Sequence, residues 1–483
     1  DAFVVAFRIP NLLRRFFAEG AFSQAFVPVI SEYRSTRSAE ETKALVDRVG
    51  GTLALVVFAV TAVGVAAAPI VVAVFAPGFL GDDGRFGLTV DMIRWTFPYL
   101  LFVSLTAFAG GILNSHRRFA VPAFTPVLLN LVLIGFAALI APRLERPGIG
   151  LAVGVFVAGL VQLAFQAPFL HRMRLLPRPR WAWRDAAVRR VLALMLPAVL
   201  GSSVAQINLL IDNQIATFLP SHSISWLYYS DRLLEFPLGV IGIALGTVIL
   251  PRLSEHHARG SADAFACTID WALRLVLVVA LPAALGLAML ARPLLATIFF
   301  GGEFTQADVT MTTASLQAFA PGLLGFVLVK VLAPAYFARQ DARTPVKIAV
   351  GALVLNTALS IALVVVLPRT GWAPPHAGLA FATTASGLLN GALLLAGLVR
   401  ARIYRPLRGW RPLLLQVAAG CVVMAAFLAL ALERGGDWLE WSKADQVPRL
   451  ATLVVVAASI YFVTCYALGL RVDAVRVAAR KPS

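Results

Sequence analysis

Thirteen stretches of the chain are apolar for long enough to cross a bilayer: 1–30, 50–76, 89–114, 121–141, 149–171, 190–219, 223–251, 265–300, 309–337, 344–367, 376–399, 411–432 and 450–470. Each meets the roughly 17–25 residues that a membrane helix needs. Pro98, Pro197, Pro282 and Pro321 interrupt several of them, which predicts kinked helices. Long apolar runs joined by short polar connections predict an all-α polytopic membrane protein.

The pattern repeats. Pro28, Pro98 and Pro122 recur as Pro251, Pro321 and Pro345, at a constant offset of 223. PVISE (28–32) matches PRLSE (251–255), and GLAVGVFVAGLVQ (150–162) matches GLAFATTASGLLN (378–390) at an offset of 228. Self-similarity at a fixed period signals duplication, and an even number of spans per period makes a parallel repeat of two like-oriented halves. The segment 190–219 has no earlier partner at this offset, because that partner would precede residue 1. The expectation is therefore fourteen helices in the full protein: two pseudo-symmetric six-helix lobes and two C-terminal helices outside the repeat, with the first helix missing here. The expected organisation is an N-terminal lobe at 1–173, an inter-lobe linker at 174–189, a C-terminal lobe at 190–400, and two extra helices with a tail at 401–483.

Composition agrees and adds an orientation. Hydrophobic residues make up 59% and charged ones 14%, against ~25% charged in a soluble domain. The net charge of +17 is spread between apolar runs, which favours membrane topology over nucleic acid. One alternate set of connections holds 27 Lys and Arg and the other 7, which places the first set and the C-terminus in the cytoplasm. Cys267, Cys421 and Cys465 have no metal or redox spacing. Without a phosphate-cradling glycine loop or a convergent catalytic cluster, the sequence reads as neither an ATP-driven transporter nor an enzyme.

Charge inside the apolar segments is the informative exception. Residues 1–35 carry Arg14, Arg15 and Glu19 in their middle. An Arg near a membrane centre costs roughly 2.5 kcal/mol or more, so it is expected to face a protein interior or a water-filled cavity. The counterpart at 224–255 carries Asp231, Arg232 and Glu235. Arg232 and Glu235, three apart, share a helix face. Two readings stand. In one, Arg14/Arg15 and Arg232 face each other across the interface of the halves and grip the diphosphate of an anionic lipid, with Glu235 and Asp1 as exchange partners. In the other, Arg232–Glu235 is a buried ion pair that locks helices.

Asp212 is the lone acid of its segment, flanked by Asn208, Asn213 and Gln214. With Asn356 and Thr383 it makes a candidate cation site, or else it is a satisfied polar residue near the interface. Lys330, mid-span, can neutralise a phosphate or an acid. Asp91/Arg94 and Asp270/Arg274, about one turn apart near span ends, read as surface pairs or snorkelling chains. In RMRLLPRPRWAWRDAAVRR (172–190), Trp181 and Trp183 among arginines read as an anchor on an anionic leaflet.

DAFVVAFRIPNLLRRFFAEGAFSQAFVPVISEYR (1–34) and DRLLEFPLGVIGIALGTVILPRLSE (231–255) resemble the two signature blocks of the MurJ (MviN) lipid II flippases, in the multidrug/oligosaccharidyl-lipid/polysaccharide (MOP) exporter superfamily. The resemblance covers essentially the whole chain. It implies fourteen helices, with the last two forming a groove for a lipid tail. It also implies movement of the undecaprenyl-pyrophosphate-linked peptidoglycan precursor from the inner to the outer leaflet of a bacterial cytoplasmic membrane, by alternating access. By motif position, Asp1, Arg14, Arg232 and Glu235 resemble the family's cavity charges, and Asn11, Arg15 and Glu19 share the first block. Asp212, with Asn356 and Thr383 more loosely, matches a sodium site of some members. The implied partners are lipid II, membrane lipids and cell-wall synthesis proteins, with no nucleic acid and no ATP. A monomer is expected, with no firm cofactor, driven by membrane potential or by Na+ or H+ coupling. Another MOP transporter (a lipid-linked polysaccharide exporter or drug/cation antiporter) and a non-transporting scaffold of the cell-wall machinery remain as alternatives.

Overall fold

The computed structural model describes residues 1–14, 21–371 and 373–470. These residues form helices and no β-strand, apart from one isolated bridge between Gly301 and Phe304. By internal packing they make two units, Asp1–Ser221 and His222–Ser483. The first holds α1 (Ala2–Arg14), α2 (Ala21–Thr36), α3 (Ala39–Ala66), α4 (Ala68–Phe75), α5 (Asp83–Thr96), α6 (Tyr99–Ser115), α7 (Ala120–Gly135), α8 (Pro147–Arg172) and α9 (Ala186–Ala216). The second holds α10 (Ser223–Leu238), α11 (Ala244–Ala258), α12 (Ala262–Met289), α13 (Ala291–Ile298), α14 (Gln306–Phe319), α15 (Gly322–Phe337), α16 (Arg343–Thr370), α17 (Pro375–Arg400), α18 (Trp410–Arg434) and α19 (Lys443–Ala467).

The repeat is visible helix by helix. α3, α4 and α5 recur as α12, α13 and α14, with both ends at the offset of 223, and α8 recurs as α17 with both ends at the offset of 228. Start signals recur with them. Asp82 caps α5 by accepting the Arg85 N–H at 3.0 Å, and Thr305, its counterpart in the repeat, caps α14 by accepting the Asp308 N–H at 3.3 Å. Such caps satisfy amides that the first helical turn leaves without partners.

Ten of the described helices are long and apolar enough to span a membrane, or eleven if α14 and α15, bent by 42°, count as one. The bend falls at Pro321, where the sequence places a kink. Two of the thirteen apolar segments are not in this set. The segment 1–30 corresponds to α1 and α2, with residues 15–20 outside the description, and 190–219 corresponds to α9, 31 residues long. Large apolar side chains such as Val63, Phe236 and Leu415 stand on the outside. Such an exterior suits lipid and not water, and the chain is a multi-pass membrane protein.

Each unit has its own core, one around Phe26, Val46, Phe108 and Ile112, the other around Leu253, Val276, Val327 and Leu398. The division after Ser221 differs from a linker at 174–189, for two reasons. α9 packs along α2 and α3, and residues 178–182 are themselves folded onto α3. Asp47 accepts the Arg178 N–H at 2.7 Å, its backbone carbonyl accepts the Arg180 N–H at 3.2 Å, and Thr52 Oγ1 accepts the Ala182 N–H at 3.2 Å.

One expectation is overturned. Asp270 and Arg274 are not a surface pair: their side chains are 3% and 14% exposed and bond at 2.6 Å. Asp270 also accepts the Tyr404 hydroxyl and the Trp410 indole N–H, both at 2.7 Å, and the Leu407 N–H at 3.2 Å. Arg274 stacks on Trp410 and donates to the Arg408 carbonyl. The segment after α17 therefore closes over the pair and removes it from water. Burial, followed by the carboxylate that accepts its hydroxyl, pushes the Tyr404 phenol well above its usual range. Asp91–Arg94, at 3.5 Å and about half exposed, is the surface pair the spacing suggests.

Candidate functional site

In the first unit, α1 buries Val5, Ala6 and Ile9 and leaves Arg8, Asn11 and Arg14 only half-buried. Residues three apart share a helix face, and Arg14 Nε donates to Asn11 Oδ1 at 2.7 Å. Arg8 NH1 reaches across to α9 and donates to Asn213 Oδ1 at 3.0 Å. Sequence reasoning passed over Arg8; the available signal was a third arginine in the same apolar segment, one turn before Asn11. Pro10 has no N–H for the Ala6 carbonyl, which instead accepts the buried Thr96 hydroxyl at 2.8 Å. That bond fixes α1 to α5 and with it the direction of the polar face. Asp1 leads the helix, its carbonyl accepting the Val5 N–H at 3.0 Å. Arg15 and Glu19 lie outside the described residues.

The polar positions of α9 are occupied within the same unit. Asn208 donates to Asp212 at 3.3 Å, Asn213 takes Arg8, and Gln214 donates to the Val74 carbonyl at 2.7 Å. In the second unit, Thr383 Oγ1 lies 3.5 Å from Asn356 Oδ1. Asn356 is fully buried. No group of three or more His, Cys, Asp or Glu is placed to hold a metal among the described residues.

Arg232 and Glu235 share one face of α10 and pair at 2.5 Å, with side chains 43% and 42% exposed. The pair is therefore only partly buried by the protein. Arg232 also sits 4.9 Å above the Tyr228 ring, which orients the guanidinium. Beyond Pro237 the helix loosens into a π turn at Gly239–Ile243 before α11. Lys330 of α15 lies across that turn, so that a Cβ at Gly242 would overlap its side chain. A larger residue there would make the Lys330 side chain shift.

Arg232 stands at an open apolar cavity of about 670 Å³ lined by α10, α12, α13, α18 and α19. Phe236, Pro282, Gly286, Leu294, Met424 and Tyr461 are among its walls, and Arg232 is the one charged residue described in its lining. An arginine with a neighbouring carboxylate at the rim of an otherwise apolar cavity suits a ligand with an anionic head and a hydrocarbon tail.

The comparisons with known proteins agree with this architecture. Residues 1–450 match the model of the family described as "Lipid II flippase MurJ". The chain is 44% identical to a probable lipid II flippase MurJ of Vibrio cholerae, over 99% of this chain and 91% of that one. It is 43% identical to its Haemophilus influenzae counterpart, over 98% and 93%. It is 40% identical to the lipid II flippase MurJ of Burkholderia cenocepacia, over 98% and 91%. Among solved structures, a lipid II flippase MurJ in an inward closed conformation superposes with a TM-score of 0.74 at 22% identity, covering 96% of this chain and 92% of that one. An inward-facing MATE family transporter of the MOP superfamily gives 0.67 at 12%, covering 83% and 90%. The fold is thus that of the MOP exporters, and by sequence the chain belongs to the lipid II flippase MurJ family.

Proposed function

We propose that this protein moves lipid II from the inner to the outer leaflet of the bacterial cytoplasmic membrane by alternating access. The observation that carries the reading is the apolar cavity with Arg232 at its rim. Arg232 takes diphosphate oxygens, where each charge-assisted hydrogen bond is worth about 1.5–3 kcal/mol. Glu235 holds the guanidinium until the phosphate replaces it. The polyprenyl tail lies along the cavity walls supplied by α18 and α19. The half-buried face of α1, with Asn11 and Arg14, is a second anion-binding surface, and Arg8 extends it.

The chain acts as a transporter and makes no covalent change in its substrate. Membrane potential, worth about 2.3 kcal/mol per charge per 100 mV, supplies the drive. Na+ and H+ are the candidate coupling ions, with Asp212 the acid of the first unit that either would engage. A cationic-drug antiporter fits less well, because the charge at the cavity is an arginine. The C-terminus lies in the cytoplasm, on the arginine-rich side. The test is flipping of fluorescent lipid II in proteoliposomes together with rescue of cells depleted of their own flippase. Activity of the wild type and its loss in Arg232→Ala are expected. Full activity of that variant would remove Arg232 from the site.

A further inference from the structure

We propose that the first unit carries a separate lipid site, at the end of α3, α6 and α8 beneath the segment 176–180, which holds one anionic glycerophospholipid of the surrounding leaflet. The phosphate sits on Arg178 and Arg180, and an acyl chain enters an apolar cavity of about 260 Å³. This site lies in a different unit from the Arg232 cavity and does not depend on the reading of that cavity.

The cavity walls come from the membrane helices: Ala54 on α3, Leu105 and Phe108 on α6, Leu163 on α8. Its roof is Leu176, Pro177 and Pro179. The roof is held in place by its backbone. Asp47 accepts the Arg178 and Arg180 amides, and α3 comes so close that a Cβ at Gly51 would overlap the Arg180 backbone. With the main chain pinned, the two side chains point outward on either side of Pro179, and both are exposed. The ion pairs here go elsewhere, Arg48 to Asp185 and Arg190 to Glu32. Among the described residues no carboxylate lies within ion-pair distance of Arg172, Arg174, Arg178, Arg180, Arg184 or Arg189.

Two further features select a lipid as the occupant. Trp181 and Trp183 stack at 5.9 Å and are 59% and 47% exposed, the amphipathic pair that favours a membrane–water boundary. The repeat supplies an internal control. In the second unit the corresponding segment follows α17, and Tyr404, buried to 2% exposure, anchors there on Asp270. Tyr404 is the counterpart of Leu176 at the offset of 228 that relates α8 to α17. The first unit has the smaller residue at that position, and Leu176 lines the cavity, with Arg178 and Arg180 exposed on either side of the roof residue Pro179. An apolar slot roofed by a segment that carries exposed arginines matches an acyl chain below a phosphate.

Native mass spectrometry of the full chain, with dioleoyl-phosphatidylglycerol and dioleoyl-phosphatidylcholine as probes, tests the proposal. The wild type should retain one more phosphatidylglycerol than phosphatidylcholine, and excess inorganic phosphate should not displace it. Replacing both surface arginines (Arg178→Ala with Arg180→Ala) should weaken that binding about thirty-fold, from the contribution of each cation near an anionic surface. Ala54→Phe, which fills the slot, should abolish it, and Arg232→Ala should leave it intact. Equal retention of the two lipids by the wild type would overturn the site. Unchanged retention in the double arginine variant would overturn the phosphate contact, and displacement by phosphate would show an anion site without a lipid.

Discussion

Asp47 and Asp270 occupy equivalent positions of the repeat and perform the same task, each accepting a backbone N–H from the segment that follows the last repeat helix of its unit. Asp47 takes Arg178 at 2.7 Å, and Asp270 takes Leu407 at 3.2 Å. The surroundings differ. Asp270 adds Tyr404, Trp410 and Arg274 in near-complete burial, whereas Asp47 pairs with Lys43, whose side chain is 24% exposed.

That difference sets the first prediction. Asp270→Ala leaves Arg274 as a buried, uncompensated charge and should cost about 3–5 kcal/mol. Asp47→Ala should cost less, about 1.5–3 kcal/mol for hydrogen bonds to a charged group. Adding Arg274→Ala to Asp270→Ala should recover part of the loss, because it removes the orphaned cation. Unfolding of the detergent-solubilised variants ranks them. Equal losses at the two aspartates would contradict the burial argument.

A second prediction concerns Thr96, whose hydroxyl replaces the amide that Pro10 lacks. Thr96→Val should leave the Ala6 carbonyl buried without a donor, at about 1–3 kcal/mol. Pro10→Ala supplies an N–H at that place in α1. The two substitutions should therefore couple, with the double variant more stable than the sum of the single effects. A double-mutant cycle on thermal stability measures the coupling, and strict additivity would refute the compensation.

The period of the chain was readable because apolar runs and prolines recur in one dimension. The offsets of 223 and 228 reappear as helix ends from α3/α12 to α8/α17. Arg14 and Arg232 stand out in the sequence because charge in an apolar run is conspicuous. What escaped was contact between distant residues. Asp270 and Arg274 look like a surface pair until Tyr404 and Trp410, 134 and 140 residues later, close over them. Arg8 was passed over because its partner Asn213 is 205 residues away. The segment 174–189 reads as a linker by composition, and only Asp47 and Thr52 reveal that its residues 178–182 are folded onto α3.

A third prediction separates the two members of the exposed pair on α10. Glu235→Gln should change stability by about 1 kcal/mol or less, because the pair is only partly buried by the protein and Gln can still accept from Arg232. Arg232→Lys keeps a positive charge and loses the planar fork that binds two phosphate oxygens, so flipping should fall while the fold survives. Arg232→Ala should lose transport altogether. Stability and lipid II flipping measured on the same preparations distinguish these outcomes. A stability loss in Arg232→Lys that matched its activity loss would assign the arginine a packing role.

The last prediction uses a wall of the Arg232 cavity where a side chain can be added without disturbing its surroundings. Gly286 lies inside α12, lines the cavity, and has open space where a Cβ would go. Replacing glycine in a helix interior is favourable by roughly 0.5–1 kcal/mol for a good helix former. Gly286→Leu should therefore fold as well as the wild type or better, while its side chain occupies volume that the lipid tail needs. Transport of lipid II with a full-length polyprenyl chain should drop, and transport of an analogue with a short chain should be spared. If Gly286→Leu moved both substrates at the wild-type rate, the tail would have to lie elsewhere, and the cavity would lose its place in the mechanism.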